Sequence, residues 1–152
     1  MNNIVIETIK EVLDRMGVAY IDVVEGSLED IDTIPLFLVV TDNPEELIGR
    51  DGDVFRALNY IVSHIVTEKD PDVERFQIDV DGYYKKQIES IKQKARFAAE
   101  RARSFKSRIE MDPMNSFERM IVHSVFAESA DIETHSEGDG KDRRIVLVYT
   151  GE

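Results

Sequence analysis

The sequence has no cysteine and no long apolar run, and both absences restrict what the protein can be. Without cysteine there is no disulfide framework, no thiolate nucleophile and no cysteine-ligated zinc site. No apolar run approaches the roughly 18 residues that span a bilayer, and the N-terminus lacks the basic-then-apolar order of a signal peptide. We therefore expect a cytoplasmic protein without membrane insertion.

Basic residues are also scarce, since 19 lysines and arginines face 31 acidic residues in 152, a net charge of −12. This balance argues against a nucleic-acid-binding protein, which usually carries a basic surface. The bases are concentrated, however: residues 85–108 hold 9 of them against 2 acids, while residues 1–84 hold 6 against 19. One basic segment thus belongs to an otherwise acidic chain, and local charge governs phosphate contact within a Debye length.

Hydrophobic spacing predicts an α+β fold in two lobes. The first lobe is expected to have the order α-β-β-α-α-β: a helix from Ile4 to Gly17, strands at 20–25 and 35–41 around an acidic loop near 27–30, a short helix from Pro44 to Gly49, a helix between Gly52 and Asp70, and a strand at 76–80. The second is expected to have the order α-β-α-β-β: a long helix at 84–108, a short strand at 108–111, a helix begun by a capping box of Asn115 and Glu118, and strands at 132–136 and 143–149.

The long helix has a mostly alanine face flanked by basic residues, when residues are placed 100° apart. One flank is formed by Lys85, Lys92, Arg96 and Arg103. The other is formed by Lys94, Arg101 and Arg108. Such flanks suit an electrostatic track for nucleic acid, and a merely solvated helix is the alternative.

Gly49-Arg50-Asp51-Gly52 connects the two helices of the first lobe. Two glycines around a basic residue let backbone N–H groups approach a phosphodiester, which is how a KH domain holds nucleotides. A plain helix-connecting turn is the alternative, because G-x-x-G spacing is common.

Arg119 and His123 are four residues apart and therefore lie on one face of their helix. An arginine fork beside an imidazole can bind a phosphate or a base. The alternative is a structural pair in which His123 satisfies a neighbouring carbonyl. Paired aspartates at 70–72, 79–81 and 51–53 are expected to be turn and cap residues, and His64 to be satisfied or edge-exposed. No catalytic motif, cofactor or metal site is predicted.

Residues 111–123, from Met111-Asp112-Pro113 to His123, resemble the signature of the R-x3-H domain, a single-stranded nucleic-acid-binding module. Residues 47–62, with the G-x-x-G tetrapeptide, resemble a type II KH domain. In this order, joined by a basic helix, they are similar to the bacterial Jag (SpoIIIJ-associated) family, as are residues 135–138 and the pair Arg143-Arg144.

The resemblance implies a type II KH domain at 1–81 and an R-x3-H domain at 82–152. It implies a non-enzymatic regulator that binds single-stranded RNA, acts with a small KH-only partner and is linked to cell elongation, division or sporulation. Longer members carry an extra N-terminal domain, and we expect that any role of that domain is absent here or was removed. Many KH loops are basic at both middle positions, so Asp51 is expected to weaken the loop's grip.

We therefore expect binding of single-stranded RNA, with single-stranded DNA left open. The expected contacts are Gly49, Arg50, Asp51, Gly52, Lys85, Lys92, Arg96, Arg103, Arg119, His123, Arg143 and Arg144. A protein-interaction adaptor with weak or partner-dependent RNA binding is the competing class. A metal-dependent hydrolase using the aspartate pairs is a third.

Overall fold

The chain divides into two units, Met1–Lys85 and Lys86–Glu152, each of mixed helix and strand. The computed structural model describes residues 2–27 and 34–151. The loop expected near 27–30 lies largely outside the described residues. No helix in the described ranges has the length and apolar character that crossing a membrane requires.

The first unit has the predicted order of elements. These are α1 (Asn2–Met16), β1 (Asp22–Gly26), β2 (Leu36–Val40), α2 (Pro44–Ile48), α3 (Asp53–Lys69) and β3 (Gln77–Val80), with a 3-10 turn at Arg50–Gly52. The sheet order is β1-β2-β3, with β1 antiparallel and β3 parallel to the central strand. Helix α1 ends at a left-handed Gly17, and α2 begins with Pro44, as the sequence predicts.

The core of the first unit lies where α1 and α3 pack against each other and onto the sheet. Helix α1 buries Ile9 and Leu13, and Val62 and Val66 of α3 are completely buried. Asn59 of α3 joins this layer to the edge strand β3: its amide oxygen accepts from the N–H of Ile78 at 2.8 Å, and its amide nitrogen donates to the Ile78 carbonyl at 3.2 Å.

Asp79 lies at the end of β3 and caps the helix that follows, α4 (Tyr83–Phe105). Its carboxylate accepts from the N–H groups of Val80 at 2.7 Å and Tyr84 at 2.8 Å, although the residue is only 2% exposed. Burial raises the pKa of Asp79, while these backbone hydrogen bonds oppose the shift. The expectation that this aspartate serves as a cap is confirmed.

The second unit contains most of α4, then β4 (Arg108–Glu110), α5 (Ser116–Val125), β5 (Ile132–Glu137) and β6 (Arg144–Tyr149). Its antiparallel sheet has the order β4-β6-β5. The predicted order α-β-α-β-β is confirmed. The alanine face of α4 is buried with residues of α5 and the sheet; this core contains Ala95, Ala98, Ala99, Ala102, Val122, Phe126, Ile132, Ile145 and Leu147.

Helix α4 is shorter than predicted, because it ends at Phe105 and not at Arg108. Lys106 takes a left-handed conformation with φ 47°, and the N–H of Ser107 donates to the Ala102 carbonyl at 3.1 Å. This closes the last turn. Arg108 is then free to begin a strand, so it leaves the basic flank in which the sequence places it.

Helix α5 begins with the predicted capping box. The Asn115 side chain accepts from the N–H of Glu118 at 2.9 Å, and the Glu118 carboxylate accepts from the N–H of Asn115 at 2.9 Å. Two helix-terminal donors are thereby satisfied, which fixes the start of the helix.

Replacing the capping residue, Asn115→Ala, is expected to destabilise the second unit by about 1 kcal/mol. Urea denaturation, with hydrogen exchange of the α5 amides to localise the effect, measures this loss. Asn115→Ser keeps a capping oxygen and is the control. Equal stability of the alanine and serine variants would show that the box contributes nothing.

Candidate nucleic-acid interface

Arg119 is held on α5 by two hydrogen bonds. One terminal nitrogen donates to the Met114 carbonyl at 2.8 Å, and the other donates to the Ser116 hydroxyl at 3.1 Å. The side chain is half-buried. A guanidinium has five N–H donors in a planar fork. Two are used here, so the group is oriented while three donors have no hydrogen bond among the described residues.

His123 lies one turn further along α5 and contacts strand β5. Its Nδ1 is 2.6 Å from the Thr134 hydroxyl, and its Nε2 is 3.1 Å from the Ser136 hydroxyl. Burial is the main cause that lowers the pKa of His123, and the nearby charges of Arg119 and His135 lower it further. The ring is therefore neutral near neutral pH. The partners of the ring are two hydroxyls and not the carbonyl expected in the structural alternative, but both ring nitrogens are satisfied within the unit, as that alternative predicts.

Arg143 and Arg144 take different positions. Arg143 donates to the Gly138 carbonyl at 2.8 Å, and its own carbonyl accepts from the N–H of Met114, the residue that also holds Arg119. The guanidinium of Arg144 forms an ion pair with the carboxylate of Glu110 at 3.4 Å. Because side chains alternate along a strand, Arg144 lies on the face of the sheet opposite to Ser136 and His123. The structure thus brings the backbone of Arg143 to the residue that holds Arg119, whereas Arg144 lies on the other face of the sheet.

The loop Gly49–Gly52 adopts a conformation that depends on its two glycines. Their φ angles are 74° and 76°, in the left-handed region. A Cβ on Gly49 would overlap Asp53 and Val54, and one on Gly52 would overlap the Tyr83 hydroxyl. Both glycines thus have a structural reason to be present, whatever the loop binds.

The two middle residues of this loop are exposed and have no ion pair among the described residues. Asp51 is itself left-handed, with φ 52° and ψ 27°, and its carbonyl accepts from Arg56 at 2.8 Å. Asparagine and aspartate are the non-glycine residues that tolerate this region best. The left-handed backbone is therefore well suited to an aspartate at this position.

The basic flank expected to form a track is not uniform. Lys85 and Arg96 are exposed, but Lys92 is only 9% exposed. Arg103 makes a two-pronged ion pair with Asp131, at 2.6 and 3.0 Å, which lowers the pKa of that carboxyl. Two of the four residues are therefore less available to phosphate than the helical spacing predicts.

The other flank of α4 contains residues that the sequence reasoning passed over. Phe97 is 64% exposed and Phe105 is 70% exposed. They lie among Lys94 and Arg101, which are exposed and form no ion pair among the described residues. Helical spacing could have found them, because Lys94, Phe97, Arg101 and Phe105 are separated by three or four residues.

Other predicted features stay outside this interface. His64 is exposed and meets Tyr60 edge to face, with ring centroids 4.4 Å apart. The described residues contain no group of three or more side chains able to hold a metal ion. The loop and the α5 pair belong to different units.

Comparison with known proteins matches the second unit to a domain family and the chain to several named relatives. Residues 87–149, which carry the α5 pair, match the R-x3-H domain family. The chain is 28% identical over 149 residues to the RNA-binding protein KhpB of Clostridium symbiosum, covering 97% of this chain and 65% of that protein. It is 29% identical over 105 residues to KhpB of Bacillus subtilis, covering 68% of this chain and 50% of that protein.

A third relative, KhpB of Streptococcus pneumoniae, is 26% identical over 107 residues, which is 70% of this chain and 33% of that protein. The chain thus spans between a third and two thirds of the length of these relatives. Within the second unit, residues 87–149 therefore carry the match to the R-x3-H domain. The chain as a whole is similar to proteins named KhpB.

The cramped position of Gly52 makes a testable prediction about the loop. Gly52→Ala is expected to destabilise the first unit more than Gly17→Ala, which has a similar φ of 72° but open space around it. Gly17→Ala, the control, is expected to lower the free energy of unfolding by about 1 kcal/mol, because only the left-handed backbone is strained. Urea denaturation measures the free energy of unfolding of both variants. Equal losses in the two variants would mean that the Tyr83 side chain moves aside at no cost in stability.

The lowered pKa of His123 predicts a pH dependence of stability. The folded state binds this proton less tightly than the unfolded chain, whose histidine titrates near 6.5. The contribution of His123 to the free energy of unfolding is complete above that pH. It is lost as the pH falls through the pKa of the folded state. Hydrogen exchange of the α5 amides between about pH 7.5 and 5.5 measures the loss.

His123→Gln removes this titration and is expected to reduce the pH dependence. His64→Gln, which replaces an exposed histidine of the first unit, is the control. An unchanged pH profile in the His123 variant would contradict the assignment of the effect to burial of this ring.

Proposed function

We propose that this protein binds single-stranded RNA and regulates its use without catalysing a reaction. The observation that carries the proposal is the α5 surface, where Arg119 is oriented by two hydrogen bonds and His123 lies one turn away. An oriented guanidinium with unused donors matches the geometry of a phosphate. The match to the R-x3-H domain family and the similarity to proteins named RNA-binding support the same ligand.

The binding surface of the second unit is proposed to consist of Arg119, His123 and Arg143. Both nitrogens of the neutral His123 ring contact hydroxyls of β5, so the ring would offer a flat face, and Arg119 and Arg143 would supply the electrostatic attraction. Arg144 is expected to contribute less, because it lies on the opposite face of the sheet beside Glu110.

The first unit is proposed to act as a type II KH domain. Its order of elements and the exposed middle residues of the Gly49–Gly52 loop support this role. Arg50 would contact phosphate, while Asp51 repels it. We therefore propose that this unit binds weakly and adds to the affinity of the second unit. Of the predicted track residues, Lys85 and Arg96 remain suited to phosphate contact, and Lys92 and Arg103 less so.

The proposal is tested by fluorescence-anisotropy titration of single-stranded RNA, single-stranded DNA and duplex at two salt concentrations. Arg119→Ala/His123→Ala is expected to lose about tenfold or more in affinity for single strands. Its dependence on salt is also expected to be weaker, because a phosphate contact is lost.

The matched control is Arg108→Ala/His135→Ala. It removes the same residue types from the same unit, but from the sheet face opposite to His123. Its affinity is expected to match that of the unaltered protein. Equal losses in both double variants would mean that charge alone, and not the α5 site, determines binding.

An adaptor is the second candidate function, favoured by the net charge of −13 on residues 1–84 and by Asp51 in the loop. In this role the acidic first unit would recruit a protein, such as a small KH-only partner. Partner capture would then survive nuclease treatment and be indifferent to Arg119→Ala. RNA binding predicts the opposite on both points. A cytoplasmic location and a role in cell elongation, division or sporulation stay predictions.

A further inference from the structure

One face of α4 presents aromatic rings and cations together. Lys94, Phe97, Arg101 and Phe105 follow one another at intervals of three, four and four residues, and we call this set the α4 stripe. Its two phenylalanines are 64% and 70% exposed, among the most exposed large apolar side chains in the described residues. The alanines of the core occupy the adjacent face of the helix, and Ala98 lies at the border between the two.

A single exposed phenylalanine needs no explanation, because folded proteins always expose some apolar atoms. Two such rings on one helix face, separated by a guanidinium, are a different case. Neither ring adds to the core of the unit, and neither Lys94 nor Arg101 has an ion pair among the described residues. The stripe therefore offers stacking surfaces and positive charge to a ligand.

A groove of about 390 Å³ lies beside Phe97 in the second unit. Its apolar lining includes Ile91, Met111 and Met114, and Lys94 and Arg101 line its α4 side. A volume of this size is large enough for a nucleobase, and Phe97 is among the residues that line it. Lys94 and Arg101 line the same groove, so they are placed to contact phosphates that adjoin such a base.

The opposite wall of the groove carries carboxylates, from Glu110, Asp112 and Glu118. Glu110 is paired with Arg108 and Arg144, and Glu118 is engaged in the capping box. Asp112 is exposed. A carboxylate repels phosphate but accepts hydrogen bonds from the amino groups of bases. The charge pattern thus favours a base edge toward this wall and phosphates toward α4.

We propose that the α4 stripe is a base-stacking subsite for single-stranded nucleic acid. One base stacks on Phe97 in the groove, Lys94 and Arg101 contact the adjoining phosphates, and Phe105 provides a second stacking surface about 12 Å further along the helix. This inference rests on the proposed function and adds to it a contact with bases. Docking of an apolar protein segment on the same face is the competing outcome.

The absence of tryptophan from the chain makes the subsite directly observable. In Phe97→Trp the single indole is placed on the stripe, and stacking of a base quenches its fluorescence. His135→Trp places an indole on an exposed position of β5, on the sheet face away from α5, and is the matched control. The ligands are a short single-stranded RNA and an abasic oligonucleotide of equal length.

The base-bearing strand is expected to quench the fluorescence of the Phe97→Trp variant in a saturable manner, and the abasic strand is expected to bind without quenching it. The control is expected to show no quenching with either. Phe97→Ala is expected to weaken RNA binding about tenfold, and Phe97→Leu, which keeps apolar bulk without the ring, is expected to restore little of it. Thermal denaturation of each variant verifies its fold.

Two results would overturn the inference while leaving the proposed function intact. One is RNA affinity unchanged in Phe97→Ala but lost in Arg119→Ala/His123→Ala. The other is equal quenching by the base-bearing and abasic strands. Partner capture that Phe97→Ala abolishes, with RNA affinity unchanged, would assign the stripe to a protein. If the unaltered chain binds neither single-stranded RNA nor single-stranded DNA, the proposed function and this subsite both fail.

Discussion

Burial of the alanine face of α4 is the constraint on which the second unit depends. Once that face packs with α5 and the sheet, every other side chain of the helix has a fixed direction. Lys92 falls at the edge of the buried face and is nearly covered, whereas Phe97 and Arg101 point away from the core. The chemistry that α4 presents to solvent thus follows from where its alanines stand.

The polar side chains of α5 are oriented by hydrogen bonds, in addition to the packing that holds the helix. The capping box sets the start of the helix, the Met114 carbonyl holds Arg119, and two β5 hydroxyls hold the His123 ring. Each contact removes conformational freedom that a ligand would otherwise have to remove on binding. The partners of Arg119 and His123 are neutral carbonyl and hydroxyl groups, so Arg119 is oriented without having its positive charge neutralised.

Sequence reasoning could predict the elements and their order, because helix periodicity, capping residues and glycine stops are local signals. Gly17, Pro44, Asn115 and Glu118 all act as their neighbourhoods predict. The contacts that decide which side chains are available to a ligand are not local in the sequence. Arg103 meets Asp131 28 residues away, and His123 meets Thr134 across a turn. Only the fold reveals that Lys92 is covered and that Arg144 faces away from the α5 pair.

The left-handed backbone at Asp51 limits how the first unit can change its charge. Glycine, asparagine and aspartate adopt this conformation more readily than lysine and arginine do, although Lys106 adopts it after α4. Descendants of this sequence can therefore make the loop neutral through a single replacement that keeps the backbone relaxed, whereas a second basic residue at this position would add backbone strain. The charge of this loop in evolution is thus biased by one dihedral angle.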